Sequence, residues 1–150
     1  MSGTYAKLIY HVVFSTKNRN QIINPVLQTR LYDYMGGIIR GEKGSLIKAG
    51  GIADHVHLLT VFHPTKSISE MLHRIKGSSS HWVNEHHFQE QYFDWQDGYG
   101  AFSVSESKID SVRAYIERQE DHHQRTDFKD EFRGLLKRHR IPYDENLVWN

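Results

Sequence analysis

The stretch Ala53-Asp-His-Val-His-Leu-Leu-Thr-Val-Phe62 reads as a β-strand. Successive side chains on a strand point to opposite faces, so Val56 and Leu58 share one face while His55 and His57 present two imidazoles on the other. Just upstream, Ser45 to Gly51 reads as a partner strand with Gly50-Gly51 near the turn. Outside this pair the hydrophobic period changes. After Pro25, the residues Val26, Leu27, Leu31, Met35, Ile38 and Ile39 recur at helical spacing up to Gly41 and Gly44. Gly36-Gly37 weakens that helix by about 1 kcal/mol per glycine relative to alanine, so packing must supply its stability. On the other side, Ser67-Ile-Ser-Glu70 has capping-box spacing and opens a helix with the stripe Ile68, Met71, Leu72, Ile75, Trp82 and Val83. Further out, Tyr5 to Ser15 alternates, with Ala6, Leu8, Tyr10, Val12 and Phe14 on one face and the mixed set Lys7, Ile9, His11 and Val13 on the other. Tyr99 to Ser105 reads as a fourth strand, after an aromatic and irregular segment from His86 to Gly98. The order β-α-β-β-α-β predicts an α+β fold, a ferredoxin-like sandwich with an antiparallel sheet.

Two more helices follow. Ser107-Lys-Ile-Asp110 repeats the capping signal and opens a helix over about residues 108–123, with Ile109, Val112 and Ile116 on its buried side. The last helix covers about 127–140, carries Phe128, Phe132, Leu135 and Leu136, and stops before Pro142. With no repeat and no linker-like tract, residues 1–150 read as one domain. Composition agrees: 38% hydrophobic and 25% charged residues are ordinary for a globular chain. The absence of cysteine excludes a disulfide framework, thiolate zinc sites and a cysteine nucleophile. No apolar run is long enough to span a bilayer and the start is no signal peptide, so no membrane partner and a cytoplasmic location are expected. A net charge of +1 excludes a histone-like basic coat, so any nucleic acid must meet basic residues gathered on one face.

Histidine, at 11 residues, carries the chemical interest. Neutral imidazoles are good ligands for divalent metals, so His55 and His57 suit a metal site, or equally two polar positions on a solvated strand face. In Tyr115-Ile-Glu-Arg-Gln119 the tyrosine and glutamine stand one helical turn apart on the same side, at the edge of the apolar stripe. Tyr115 there suits a half-buried rim position as well as a reactive one. His122 and His123 suit the helix C-terminus, where a positive imidazole meets the dipole.

Taken together, His-hydrophobic-His on a strand and Tyr-x-x-x-Gln on a later helix resemble the single-tyrosine transposases of bacterial insertion sequences, within the HUH endonuclease superfamily. The similarity runs through Tyr10-His-Val-Val-Phe-Ser-Thr-Lys-Asn-Arg19, Asp54-His-Val-His-Leu-Leu59, Trp95-Gln-Asp-Gly-Tyr-Gly-Ala-Phe-Ser-Val104 and Tyr115-Ile-Glu-Arg-Gln-Glu-Asp-His-His123. It continues through Phe128-Lys-Asp-Glu-Phe132 and Tyr143-Asp-Glu145. The resemblance implies a metal-dependent DNA strand transferase. His55, His57 and Gln119 would hold Mg²⁺ or Mn²⁺, and Tyr115 would attack a phosphodiester of single-stranded DNA to leave a 5′-phosphotyrosine and a free 3′-hydroxyl. Imidazole pairs suit Mg²⁺ poorly, and Gln119 with phosphate oxygens offsets that mismatch. An unperturbed phenol ionises near pH ~10, so a base or the metal must assist Tyr115. The resemblance names no such base.

It also implies hairpins marking the element ends, and a homodimer with composite sites in which the helix of Tyr115 and Gln119 docks on the partner. The polar connector Ser103-Val-Ser-Glu-Ser-Lys108 suits such an exchange. Candidate DNA contacts are Lys17, Arg19, Lys66, Arg74, Lys76, Arg113 and Arg118, and Tyr92, Phe93 and Trp95 are available to stack on bases or, as clustered aromatics more often do, to fill the core. A domesticated relative acting on palindromic repeats, a non-catalytic hairpin binder and a phosphohydrolase using water are the competing functions.

Overall fold

The computed structural model describes residues 3–86 and 90–150. Its elements are β1 (Leu8–Ser15), α1 (Pro25–Gly41), β2 (Ser45–Ile52), β3 (His55–Phe62), α2 (Ile68–Glu85), β4 (Gly100–Val104), α3 (Ile109–Glu117), α4 (Gln119–His122) and α5 (Phe128–Arg138). The four strands form one sheet in the order β2-β3-β1-β4, every neighbouring pair antiparallel. This is the interleaved pair of β-α-β units that the element order predicts. Of the segment read as irregular, residues 87–89 lie outside the described residues.

Local chemistry accounts for the boundaries. The Asn24 side chain accepts from the Leu27 amide and Pro25 occupies the first turn, which starts α1. Ser67 and Glu70 form both halves of the capping box at α2. Two sequence expectations differ from the structure. Gly50 and Gly51 lie within β2 as expected, but β3 starts at His55 and not at Ala53, because Ala53-Asp54 makes the turn. The Ser107 signal is not used as a cap: a 3₁₀ turn over Glu106–Lys108 precedes α3, which starts without a side-chain cap.

Both faces of the sheet are covered. On one, Val12, Phe14, Val56 and Leu58 pack against Leu31, Met35 and Ile39 of α1 and Met71, Leu72 and Ile75 of α2. The other face, expected to be mixed on β1, is roofed by the C-terminal helices. Ile9 and Leu59 meet Ile116 of α3, while Val13 and Phe102 meet Phe128, Phe132, Leu135 and Leu136 of α5. Gly50 permits the close approach of α3: a Cβ there would run into the backbone carbonyl and side chain of Ile116. No helix among the described residues is long and apolar enough to cross a membrane.

Candidate functional site

The imidazoles of β3 point into this second layer, and His55 and His57 are both fully buried. A solvated strand face is therefore excluded. A buried imidazole needs partners for both ring nitrogens, and each histidine has them. His55 Nδ1–H donates to Asp54 Oδ1 at 2.7 Å, within the turn that opens β3. His55 Nε2 lies 2.8 Å from Gln119 Oε1, and 3.3 Å from Glu131 Oε1. His57 Nδ1 pairs with His11 Nε2 of β1 at 2.8 Å, and its Nε2 lies 3.1 Å from Glu131 Oε1. The antiparallel pairing of β1 and β3 brings His11 and His57 side by side, and their rings stack at 5.0 Å.

Helix α3 supplies the tyrosine. The predicted helix over 108–123 breaks at Arg118, whose ψ of 17° separates α3 from α4. Despite the break, Tyr115 and Gln119 face the same carboxylate. Tyr115 OH donates to Glu131 Oε2, and Gln119 Nε2 donates to that oxygen at 2.8 Å. His123 is the C-cap of α4, as expected of a residue at the helix C-terminus, and its ring also points inward. Its Nε2 lies 2.9 Å from Glu131 Oε1 and 3.0 Å from Gln119 Oε1, and its Nδ1 donates to Thr126 O. His122 stands beside the Tyr115 ring, with a buried Nε2 that makes no hydrogen bond and lies 3.5 Å from Glu131 Oε2.

Glu131 is thus the hub, and the sequence reading did not single it out. It is only 5% exposed. Burial opposes its charge, but the imidazoles of His123, His55 and His57 hold its carboxyl far below the usual carboxylate range. Burial also opposes a charge on His55, yet hydrogen bonds to Asp54 and Glu131 push that imidazole up to about 9. His57 and His11 shift the other way. Burial lowers both, and with His57 beside it, His11 falls to about 3. His11 therefore stays neutral, with one N–H and one acceptor to offer His57. Burial, then the Glu131 carboxylate, pushes the Tyr115 phenol well above its ordinary value.

The donor set suits a divalent ion. His55, His57 and Glu131 bring ligand atoms within 4.8 Å of one another, and so do His122, His123 and Glu131. The Nδ1 atoms of His55 and His57 are engaged by Asp54 and His11, which leaves both Nε2 atoms facing Glu131, with Gln119 beside that of His55. Outer partners of this kind orient metal-binding histidines.

The predicted DNA contacts scatter. Among the described residues, Arg118 shares an open groove of 670 Å³ with Tyr115, His122 and Arg125. Arg113 donates to Ile47 O. Lys66 and Arg74 both pair with Glu42. Lys17 lies 3.9 Å from Asp94, and Arg19 donates to Trp149 O. Lys76 donates to Asp97 O and Gly98 O, and burial lowers its ammonium to about 8. Base stacking by Phe93 and Trp95 is corrected: both are core residues, packed edge-to-face with each other and, through Trp95, with Phe14. Tyr92 is exposed.

Comparison with known proteins joins this site to a family. The family described as "Transposase IS200 like" matches residues 4–119. This chain belongs to it. The ISDra2 transposase TnpA of Deinococcus radiodurans is 27% identical over 124 residues, covering 79% of this chain and 89% of that protein. A crystal structure of a Deinococcus radiodurans transposase superposes with a TM-score of 0.63 at 27% identity, covering 79% of this chain and 95% of the other. A REP-associated tyrosine transposase, solved bound to a REP hairpin, shares the fold at a TM-score of 0.62 and 13% identity, over 82% of this chain and 73% of that one. The chain is accordingly an IS200-like transposase, a DNA-recombining protein of insertion-sequence type.

Within this IS200-like chain, Tyr115 and Gln119 stand against the histidines of their own chain. Ile116, on the same helix as Tyr115, is buried against Ile9 and Leu59, and residues 123–127 join α4 to α5.

Proposed function

We propose that this transposase nicks and rejoins single-stranded DNA at hairpin-marked element ends, with Tyr115 as nucleophile. The observation that carries the proposal is the convergence of Tyr115, Gln119, His55 and His57 on one buried carboxylate. A hairpin binder needs no such set. His55, His57 and Gln119 would hold Mg²⁺ or Mn²⁺, which when bound supplies Lewis acidity toward the scissile phosphate.

The chain's own residues do the rest. His57 presents Nε2 as a ligand when its proton sits on Nδ1, where the neutral His11 Nε2 accepts it. The Tyr115 oxygen, positioned by its hydrogen bond to Glu131 Oε2, forms the bond to phosphorus and gives up its proton to water. The 3′ oxygen leaves and takes up a proton from water. Reversal onto another 3′-hydroxyl regenerates the phenol, so the phosphodiester energy is stored and strands exchange without ATP.

Two open grooves flank Tyr115 and suit the strand on either side of the cut. One contains Arg118 and Arg125, the other Lys108, Arg138 and His139. Lys17, Arg19, Lys66, Arg74, Lys76 and Arg113 are proposed for the hairpin, whose recognition by the fold-mate solved with a REP hairpin supports a duplex address. Joining two ends takes two tyrosines, so a homodimer is proposed for transfer, in the cytoplasm where such DNA is reached.

Labelled single-stranded end DNA with Mg²⁺ or Mn²⁺ tests the reading. A covalent protein–DNA adduct that survives denaturing electrophoresis is expected from the wild type and absent from Tyr115→Phe, with DNA binding retained. Cleavage without an adduct would assign water as the nucleophile and overturn it.

A further inference from the structure

The family match ends at residue 119, whereas Glu131 lies on α5, beyond it. A charged residue on the apolar stripe of that helix, between Phe128 and Leu135, is costly to bury unless something needs it there. Its neighbours show what that is. Glu131 Oε1 lies within 3.3 Å of both His55 Nε2 and His57 Nε2, the two atoms that would bind the metal. Glu131 Oε2 accepts from Tyr115 and Gln119.

We infer that Glu131 is itself a metal ligand, delivered by α5, and that its second oxygen holds Tyr115 against the ion. This rests on the proposed metal-dependent reading of the same site and adds a residue to it. The resulting set is two imidazoles, a carboxamide and a carboxylate. Such mixed nitrogen and oxygen donors suit Mn²⁺ better than Mg²⁺, which prefers oxygen alone. Metal binding must then also fasten α5 onto the sheet, because one of its side chains closes the coordination shell.

The test is Mn²⁺ binding by calorimetry to wild type, His55→Ala and Glu131→Gln, with hydrogen exchange of residues 128–138 measured with and without Mn²⁺. Glutamine keeps the size and can still accept from Tyr115, so unchanged melting in EDTA would show an intact fold. Glu131→Gln is expected to weaken Mn²⁺ binding by about tenfold or more, and His55→Ala to abolish it. Mn²⁺ should slow exchange across α5 in the wild type and leave it unchanged in Glu131→Gln. Wild-type Mn²⁺ affinity in Glu131→Gln, alongside loss in His55→Ala, overturns the role of Glu131 and leaves the metal reading standing. Tighter binding in Glu131→Gln overturns it too, by making the carboxylate an obstacle. A wild type that binds no Mn²⁺ overturns both. Should Glu131→Gln fail to fold, the wild-type exchange experiment decides alone: no protection of α5 by Mn²⁺ sinks the inference.

Discussion

At the scale of single residues, the two ring nitrogens of each strand histidine decide what the site can do. His57 can offer Nε2 outward only if Nδ1 is satisfied, and His11 is the one partner it has there. Replacing His11 by Phe keeps an aromatic ring beside Phe102 and Tyr115 but leaves His57 Nδ1 buried and unpaired. We expect Mn²⁺ affinity to fall by about 10- to 100-fold, with stability reduced by about 1–3 kcal/mol. Calorimetry and urea melts check the two effects separately, and an unchanged affinity would remove His11 from the site. These residues also show where the sequence was readable. His55, His57, Tyr115 and Gln119 stood out because together they resemble a family's pattern, whereas their spacing alone suits a solvated strand face and a half-buried helix rim equally well. His11, His123 and Glu131 did not stand out, because each fits an ordinary local role: an alternating strand position, a helix end, a polar residue on an amphipathic helix. Glu131 did leave a signal. It sits three residues after Phe128 and four before Leu135, on the side of α5 that should be apolar.

At the scale of elements, helices and strands were legible from period and caps, whereas the placement of α3 was not. Its seat depends on Gly50, which reads locally only as a strand residue near a turn. Adding one carbon there forces Ile116 away from β2, and Tyr115 and Gln119 ride on the same segment. Gly50→Ala is expected to lower stability by about 1–3 kcal/mol through overpacking and to reduce adduct formation more than hairpin binding. Gly77→Ala is the contrasting case, because a Cβ there meets nothing within 4 Å and lies inside α2. It should stabilise by about 1 kcal/mol. Denaturant midpoints for the pair test the argument, and equal effects would detach α3 from the Gly50 contact. The burial of Phe93 and Trp95 beside Phe14 follows the commoner habit of clustered aromatics, and composition alone does not separate it from base stacking.

At the scale of the whole molecule, the open question is how one tyrosine per chain serves a reaction that joins two ends. Swapping α3 between copies would have to carry Gln119 of α4 with it, exchange the Ile116 contacts with Ile9 and Leu59 for the same contacts on the partner, and stretch the five residues 123–127 that tether α5. Tyr115, Gln119 and His123 also meet Glu131 of α5, so moving α3 and α4 alone would dismantle the cluster. An assembly that keeps each site within its own chain and pairs whole copies by symmetry leaves that tether unstretched. Mixing a His55→Ala/His57→Ala double mutant with Tyr115→Phe, under conditions that exchange subunits, distinguishes the two. Sites built within one chain predict no adduct, although heterodimers form. An adduct carried on the histidine-mutant chain would mean that α3 crosses to the partner when DNA is cut, through the polar connector 103–108.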